Sequence, residues 1–219
     1  MDFYEQNKNL INRVENLYNI EKELLLALMG IETNFGTYVG KMDILSSLAT
    51  LSFDKRRSEF FSNELIILLK LIENNQIDYK TLYGSWAGAF GFFQFMPSTM
   101  KNYAIDYDKN SYIDLKSNDD AYASAANYLN KIGWKDNEPC FYKVELSNEI
   151  PKKYLNVSAK KLHNKKKLKY FRKYILNENL LDQKFDNLIT SIITPDKDII
   201  PDAETFRYSF GISFDNSTL

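Results

Sequence analysis

Cysteine and histidine are nearly absent from this 219-residue chain, which has one of each, Cys140 and His163. A single cysteine excludes an internal disulfide, and together with a single histidine it leaves too few ligands for a zinc site. Catalysis through histidine would rest on His163 alone. That residue sits inside a lysine run, where a solvated surface role is the simpler reading. Enzymatic chemistry in this chain is therefore expected to be carboxylate chemistry. Long apolar runs are missing as well: no segment approaches the ~20 apolar residues of a membrane span. The opening Met-Asp-Phe-Tyr-Glu-Gln has no basic region followed by an apolar stretch, so no export signal is expected in the chain as written. Net charge is also small, at −1, with 28 basic and 29 acidic residues.

What is present reads as a globular protein, with 44% hydrophobic and 26% charged residues. The length suits one ordinary domain with a smaller appendage. Fifteen Tyr and fifteen Phe suit a carbohydrate cleft, although AT-rich coding bias produces the same excess.

The first half has helical texture. Glu21 to Asn34 is an apolar run of good helix formers with Leu24, Leu25, Leu28 and Ile31 at helical spacing, and Gly36 stands where a cap glycine belongs. Asp43 is expected to cap a short helix through Leu51. A longer amphipathic helix is expected from Lys55 to Asn74, with Phe61, Leu65, Leu68 and Ile72 on its apolar face. Tyr83 to Pro97 carries Gly84, Gly88 and Gly91 among small and aromatic residues and reads as a shaped loop. An acidic loop follows from Asp106 to Asp120, and Ser117 or Asn118 then caps a helix ending near Gly133.

Beyond Trp134 the character changes. Pro151 to Tyr174 carries nine Lys, one Arg and no acid, and reads as a basic helix. It is either a solvated face or an attraction to a polyanion. β-prone stretches such as Phe206 to Phe214 suggest two or three short strands in the final segment. The expected architecture is mainly α (α+β), with a helical core over residues 1–135 and a small C-terminal subdomain over 136–219.

Glu32 closes the run Leu24-Leu25-Leu26-Ala27-Leu28-Met29-Gly30-Ile31 near the C-terminal end of its helix. Apolar surroundings and the negative end of the helix dipole both favour a protonated carboxyl there. Such a group can protonate a glycosidic oxygen. Taken alone, an exposed Glu on the outer face of the last turn is the competing reading.

The neighbouring motifs change that balance. Gly30-Ile31-Glu32-Thr33-Asn34-Phe35-Gly36 is followed by Gly40-Lys41, Leu48-Ala49-Thr50-Leu51-Ser52-Phe53 and Arg56-Arg57-x-x-Phe60-Phe61. Then come Gly84-Ser85-x-Ala87-Gly88-Ala89-x-Gly91-x-x-Gln94-Phe95-Met96-Pro97-Ser98, Ala125-Ala126-Asn127-Tyr128 and Gly133-Trp134. In order and spacing this resembles the lytic transglycosylase B family, of lysozyme-like fold, over roughly residues 15 to 140.

The resemblance implies that Glu32 is the only catalytic carboxylate. It would protonate the bond between N-acetylmuramic acid and N-acetylglucosamine, then deprotonate the muramoyl C6 hydroxyl to close a 1,6-anhydro ring. It also implies that Ser85, Gln94 and Tyr128 contact substrate, where the residues alone equally fit a turn hydrogen bond, a structural amide and a core tyrosine. Peptidoglycan glycan strands are the implied partner and the periplasm or cell envelope the implied location. A monomer is expected, with no nucleic acid partner.

Ordinary glycoside hydrolases need a second carboxylate, ~5 Å from the first for retention or ~6.5–9.5 Å for inversion. The stretch from Ser85 to Gln94 contains no acid, while Asp43 and Asp54 remain open as partners. The family's Arg-Tyr/Trp-Asn motif, which would follow Phe214-Asp215-Asn216, has no counterpart before the chain ends at Leu219. Two alternatives therefore stand beside the transglycosylase: a peptidoglycan-binding module with little turnover, and a hydrolytic muramidase.

Asp106-x-Asp108-x-Asn110-Ser111-Tyr112 has the spacing of an EF-hand opening, with side chains at loop positions 1, 3 and 5 and a backbone carbonyl at 7. Ser111 replaces the turn glycine and Ser117 stands where the closing Glu belongs. The competing reading is an acidic turn in which Ser117 and Asp120 form a capping box. The resemblance implies a longer loop closed by Asp120, holding a structural calcium (or sodium) that braces the fold. No cofactor is expected for the chemistry.

Overall fold

The computed structural model describes residues 3–136, 138–139, 141–157, 162–194 and 210–214. The chain is mainly α with a few short strands, and divides into two compact units, Met1–Asp136 and Asn137–Leu219. No helix among the described residues is long and apolar enough to cross a membrane.

Among its described residues the first unit contains six α-helices: α1 (Phe3–Tyr18), α2 (Lys22–Thr33), α3 (Ile44–Ser52), α4 (Ser58–Glu73), α5 (Pro97–Tyr103) and α6 (Asn118–Lys131). α2 buries Leu25, Met29 and Thr33, a stripe spaced four residues apart. α6 is buried along most of its length, and its Ala121, Ala123, Ser124, Ala125 and Ala126 are small enough for α1, α2 and α5 to pack closely against it. One apolar core lies among α1, α2 and α6. A second lies among α3, α4, α5 and the glycine-rich loop, and Tyr128 and Phe93 pack against both.

α3 starts as its sequence predicts, with the Asp43 carboxylate accepting the Ser46 N–H at 2.6 Å. Two expectations shift. α2 ends on Asn34, left-handed at φ 47°, rather than on Gly36, which lies two residues further at φ 82°. Asn tolerates this conformation, so the cap needs no glycine. α4 buries Phe61, Glu64, Leu68 and Leu71, leaving Leu65 and Ile72 half-buried. Glu64 can occupy that stripe because its carboxylate accepts the Ser98 N–H at 2.8 Å and the Ser98 hydroxyl at 2.6 Å.

The second unit is built on a sheet. β3 (Phe141–Val144), β7 (Phe210–Phe214), β6 (Ile189–Ile193) and β4 (Leu155–Asn156) lie in that order, and β5 (Lys166–Lys167) pairs with β6. β4 runs parallel to β6 and the other pairings are antiparallel. β6 reads Ile-Thr-Ser-Ile-Ile, whose β-branched residues suit a pleated surface. Of the strands expected near the C-terminus, β7 is present at 210–214; residues 195–209 lie outside the described residues.

The basic run is not one helix. It is broken into a 3-10 turn (Lys152–Tyr154), β4, β5, a four-residue helix α7 (Leu168–Phe171) and a second 3-10 turn (Arg172–Tyr174). Asn156 explains the break. Its buried carboxamide donates to the Tyr154, Ile192 and His163 carbonyls and accepts the His163 N–H at 2.7 Å, folding the segment back on itself. A helix would also have stacked Lys165, Lys169 and Lys173 four residues apart, a repulsive arrangement.

Candidate active site

Glu32 lies on the last turn of α2 and is exposed. The apolar enclosure that its sequence neighbours suggested is not formed by them. Leu25 and Met29 are buried in the core, two turns and one turn before Glu32, and Ile31 is 81% exposed. At 3.6 residues per turn Glu32 lies about 20° around the helix from Leu25 and about 60° from Met29, so it is exposed at the end of the helix and not by pointing to the opposite face.

The following residue carries the local architecture. Thr33 is buried, and its hydroxyl donates to the Phe92 carbonyl at 2.8 Å, lies 3.2 Å from the Met29 carbonyl and accepts the Gly36 N–H at 3.1 Å. The end of the Glu32 helix is thereby tied to the glycine-rich loop. A second tie follows where β1 (Met42–Asp43) pairs antiparallel with β2 (Tyr83–Gly84). The two backbones approach so closely that a Cβ on Gly40 would stand 2.1 Å from the Gly84 carbonyl oxygen.

Ser85 and Gln94 lie on this loop. The Ser85 hydroxyl accepts the Ala89 N–H at 3.0 Å, and its backbone N–H donates to the Ala89 carbonyl at 2.7 Å. Gln94 is left-handed at φ 50°; its amide donates to the Gly91 carbonyl at 2.9 Å and the Val39 carbonyl at 3.4 Å. Both polar side chains therefore belong to the wall that Thr33 and β1 fasten to α2. Tyr128 is half-buried, edge-on to Phe95 at 5.8 Å and to Tyr103 at 5.1 Å, and reaches this wall through Phe95.

The two acids left open as partners of Glu32 are engaged elsewhere. Asp43 caps α3, and that hydrogen bond lowers its pKa. Asp54 pairs with Arg56 at 2.8 Å, which holds its pKa down to about 2. Sequence reasoning passed over the exposed aromatics on both segments, among them Tyr38 at 75% and Trp86 at 68% exposure. An aromatic amid small residues in a shaped loop was the available signal. It also gave Thr33 no role, because a Thr at a helix end is ordinary until its partner across the fold is known.

In the acidic loop, ligand oxygens of Asp106, Asp108 and Asp120 lie within 4.8 Å of one another. Asp120 is fully buried with no ion-pair partner among the described residues. Burial raises its pKa, against the opposing pull of the Asp114 and Tyr107 N–H groups, which donate to it at 2.8 Å. It therefore turns inward to the loop, and Ser117 makes no side-chain cap, so the capping box is not formed. Asn110 donates to Asp108 at 2.8 Å and accepts the Tyr112 N–H at 2.9 Å; the Tyr112 side chain is exposed. Ser111 takes φ 76°, the left-handed turn that glycine supplies in an EF-hand. Three hard oxygens converging around a buried carboxylate fit a calcium-like cation.

The transglycosylase SLT domain family matches residues 1–203. The chain is 42% identical over 133 residues to the membrane-bound lytic murein transglycosylase B of Escherichia coli K12, covering 60% of this chain and 37% of that protein. In structure it is similar to SltB3 of Pseudomonas aeruginosa, solved in complex with NAG-NAM-pentapeptide (TM-score 0.80, 28% identity, 97% of this chain and 55% of that one). It is also similar to the Escherichia coli lytic transglycosylase SLT35 in complex with calcium (TM-score 0.74, 27% identity, 98% of this chain and 64% of that one). The chain thus spans little more than a third of the curated relative it matches, and about half to two thirds of these solved chains. With a helical first unit that carries Glu32 against a glycine-rich wall, and a family match across most of its length, the chain belongs to the transglycosylase SLT domain family.

Proposed function

We propose that this chain is a lytic transglycosylase that cleaves the β-1,4 bond between N-acetylmuramic acid and N-acetylglucosamine in peptidoglycan. The observation that carries the proposal is the single uncommitted carboxylate at the fastened end of α2. Glu32 is exposed there, while the facing loop has no acid and Asp43 and Asp54 are occupied. Glu32 acts first as general acid, giving its proton to the glycosidic oxygen as the C1–O bond breaks. As carboxylate it then takes the proton of the muramoyl C6 hydroxyl, whose oxygen bonds to C1. The proton returns to Glu32, the anhydro ring closes and no water is consumed. One carboxylate suffices because the nucleophile is part of the substrate, unlike the two-carboxylate hydrolases.

Ser85 and Gln94 present polar, uncharged groups suited to sugar hydroxyls and acetamido groups, and Tyr128 supports the same wall. Exposed Tyr38 and Trp86 offer apolar faces to sugar rings. The acidic loop would hold calcium through Asp106, Asp108 and Asp120, with Asn110 and the Tyr112 carbonyl completing the oxygen set. Such an ion would neutralise a buried carboxylate and brace the start of α6, away from the chemistry. A cell-envelope location follows from the substrate and is supported by the membrane-bound relative.

Mass spectrometry of purified peptidoglycan after incubation with the chain, and with Glu32→Gln, tests the reaction. Anhydromuramoyl ends from the parent only are the expected result. Reducing ends would favour the muramidase, and binding without products would favour the peptidoglycan-binding module.

A further inference from the structure

The catalytic reading leaves the basic run of the second unit without a role. Between Pro151 and Tyr174 there are nine Lys, one Arg and no acid; since the whole chain carries −1, everything outside this run carries −11. Lys153, Lys166, Lys167, Lys169 and Lys173 are all exposed, and none is in an ion pair among the described residues. Among the described residues, Asp186 pairs with Arg172 at 2.6 Å and Asp182 with Lys184 at 3.2 Å.

Three of these lysines gather on one aromatic cluster. The Tyr154 and Tyr170 hydroxyls hydrogen-bond each other at 2.9 Å, and the Tyr170 ring lies 6.3 Å from that of Tyr174. The Lys153 ammonium is 5.1 Å from the Tyr154 ring centre, and those of Lys166 and Lys173 are 5.9 and 5.1 Å from the Tyr170 ring centre. The three come from a 3-10 turn, from β5 and from the turn after α7, so folding and not sequence periodicity assembles them. The rings partly balance the ammonium groups but do not neutralise them.

We propose that this lysine–tyrosine face docks on the surface of an anionic phospholipid bilayer. Arg172, the one arginine of the run and the kind of side chain that grips a phosphate bidentately, is already bound to Asp186 and to the Leu181 and Asp182 carbonyls. What remains are point charges on flexible apolar stems beside tyrosine rings, which suit a diffuse negative interface better than a discrete phosphate pocket. Val157 and Leu176 are exposed, and each follows within three residues of a tyrosine of the cluster, Tyr154 and Tyr174.

Co-sedimentation of the intact chain with phosphatidylglycerol-containing vesicles and with pure phosphatidylcholine vesicles tests this. Binding is expected to the first only, and to vanish at about 1 M salt, where the screening length is about 3 Å. Replacing Lys153, Lys166 and Lys173 together by Gln should weaken it by about 100-fold, at roughly fivefold per lysine. The same three replaced by Arg should still bind. Equal binding to both vesicles, an unweakened Gln variant with parental melting temperature, or loss in the Arg variant would each overturn the proposal. So would capture by isolated peptidoglycan without vesicle binding.

Discussion

Thr33 donates its buried hydroxyl to the Phe92 carbonyl at 2.8 Å, joining the residue after Glu32 to the loop that carries Gln94. Thr33→Val keeps the shape and removes the hydroxyl, leaving the Phe92 carbonyl and the Gly36 N–H without their partner. Both groups are only partly buried, so the cost falls toward the lower end of the about 1–3 kcal/mol of an unsatisfied buried group, and a lower melting temperature is expected together with reduced turnover. Thr33→Ser should recover most of both. Parental turnover in a folded Thr33→Val protein would mean that this tie does not position Glu32.

Glu32→Gln should abolish release of anhydromuramoyl products while leaving the melting temperature nearly unchanged, since exposed substitutions away from special features usually shift stability by no more than about 0.5 kcal/mol. Detectable turnover in that variant would remove Glu32 from the mechanism.

Calcium should raise the melting temperature of the parent, and a chelator should reverse the shift. Saturation at about 100 times the dissociation constant adds about 2.7 kcal/mol. Asp108→Ala should erase the increment, because it removes one of three converging carboxylates. No calcium-dependent shift in the parent would discard the metal site.

Asp43 ties pH to stability. Its pKa is lowered by the Ser46 N–H, so its contribution is complete above the ordinary Asp value of 3.8 and is lost as pH falls through the lower folded-state value. Near neutral pH, Asp43→Ala should cost about 1 kcal/mol, the usual worth of such a cap. The gap between parent and variant should narrow in acid below pH 3.8, whereas Asp43→Asn should keep its cap throughout. Denaturant unfolding at several pH values reads the difference; a gap independent of pH would assign the cost to packing instead.

Much of the helical unit could be read before any coordinates. The bounds of α2, α3 and α6 follow from apolar spacing and from Asp43 as a cap, since helices are specified by neighbours within a few residues. The motif series around Glu32, Ser85 and Gln94 was legible for the same reason: it is local, ordered text. The acidic loop was legible in its ligand spacing, but whether Asp120 caps α6 or turns inward was not, because both use the same residues.

The sequence by itself determined which residue types were available: a glutamate at the end of an apolar helix, a glycine-rich loop without acids, an aspartate-rich loop, and a lysine run without acids. Tertiary structure alone decided how they are used. It left Glu32 exposed on the last turn of α2, past the buried Leu25 and Met29 whose side of the helix it nearly shares. It placed Glu64 in an apolar stripe, because Ser98, thirty-four residues away, satisfies its carboxylate. It also broke the basic run, because Asn156 bonds across to Ile192, a long-range partner that no local pattern contains.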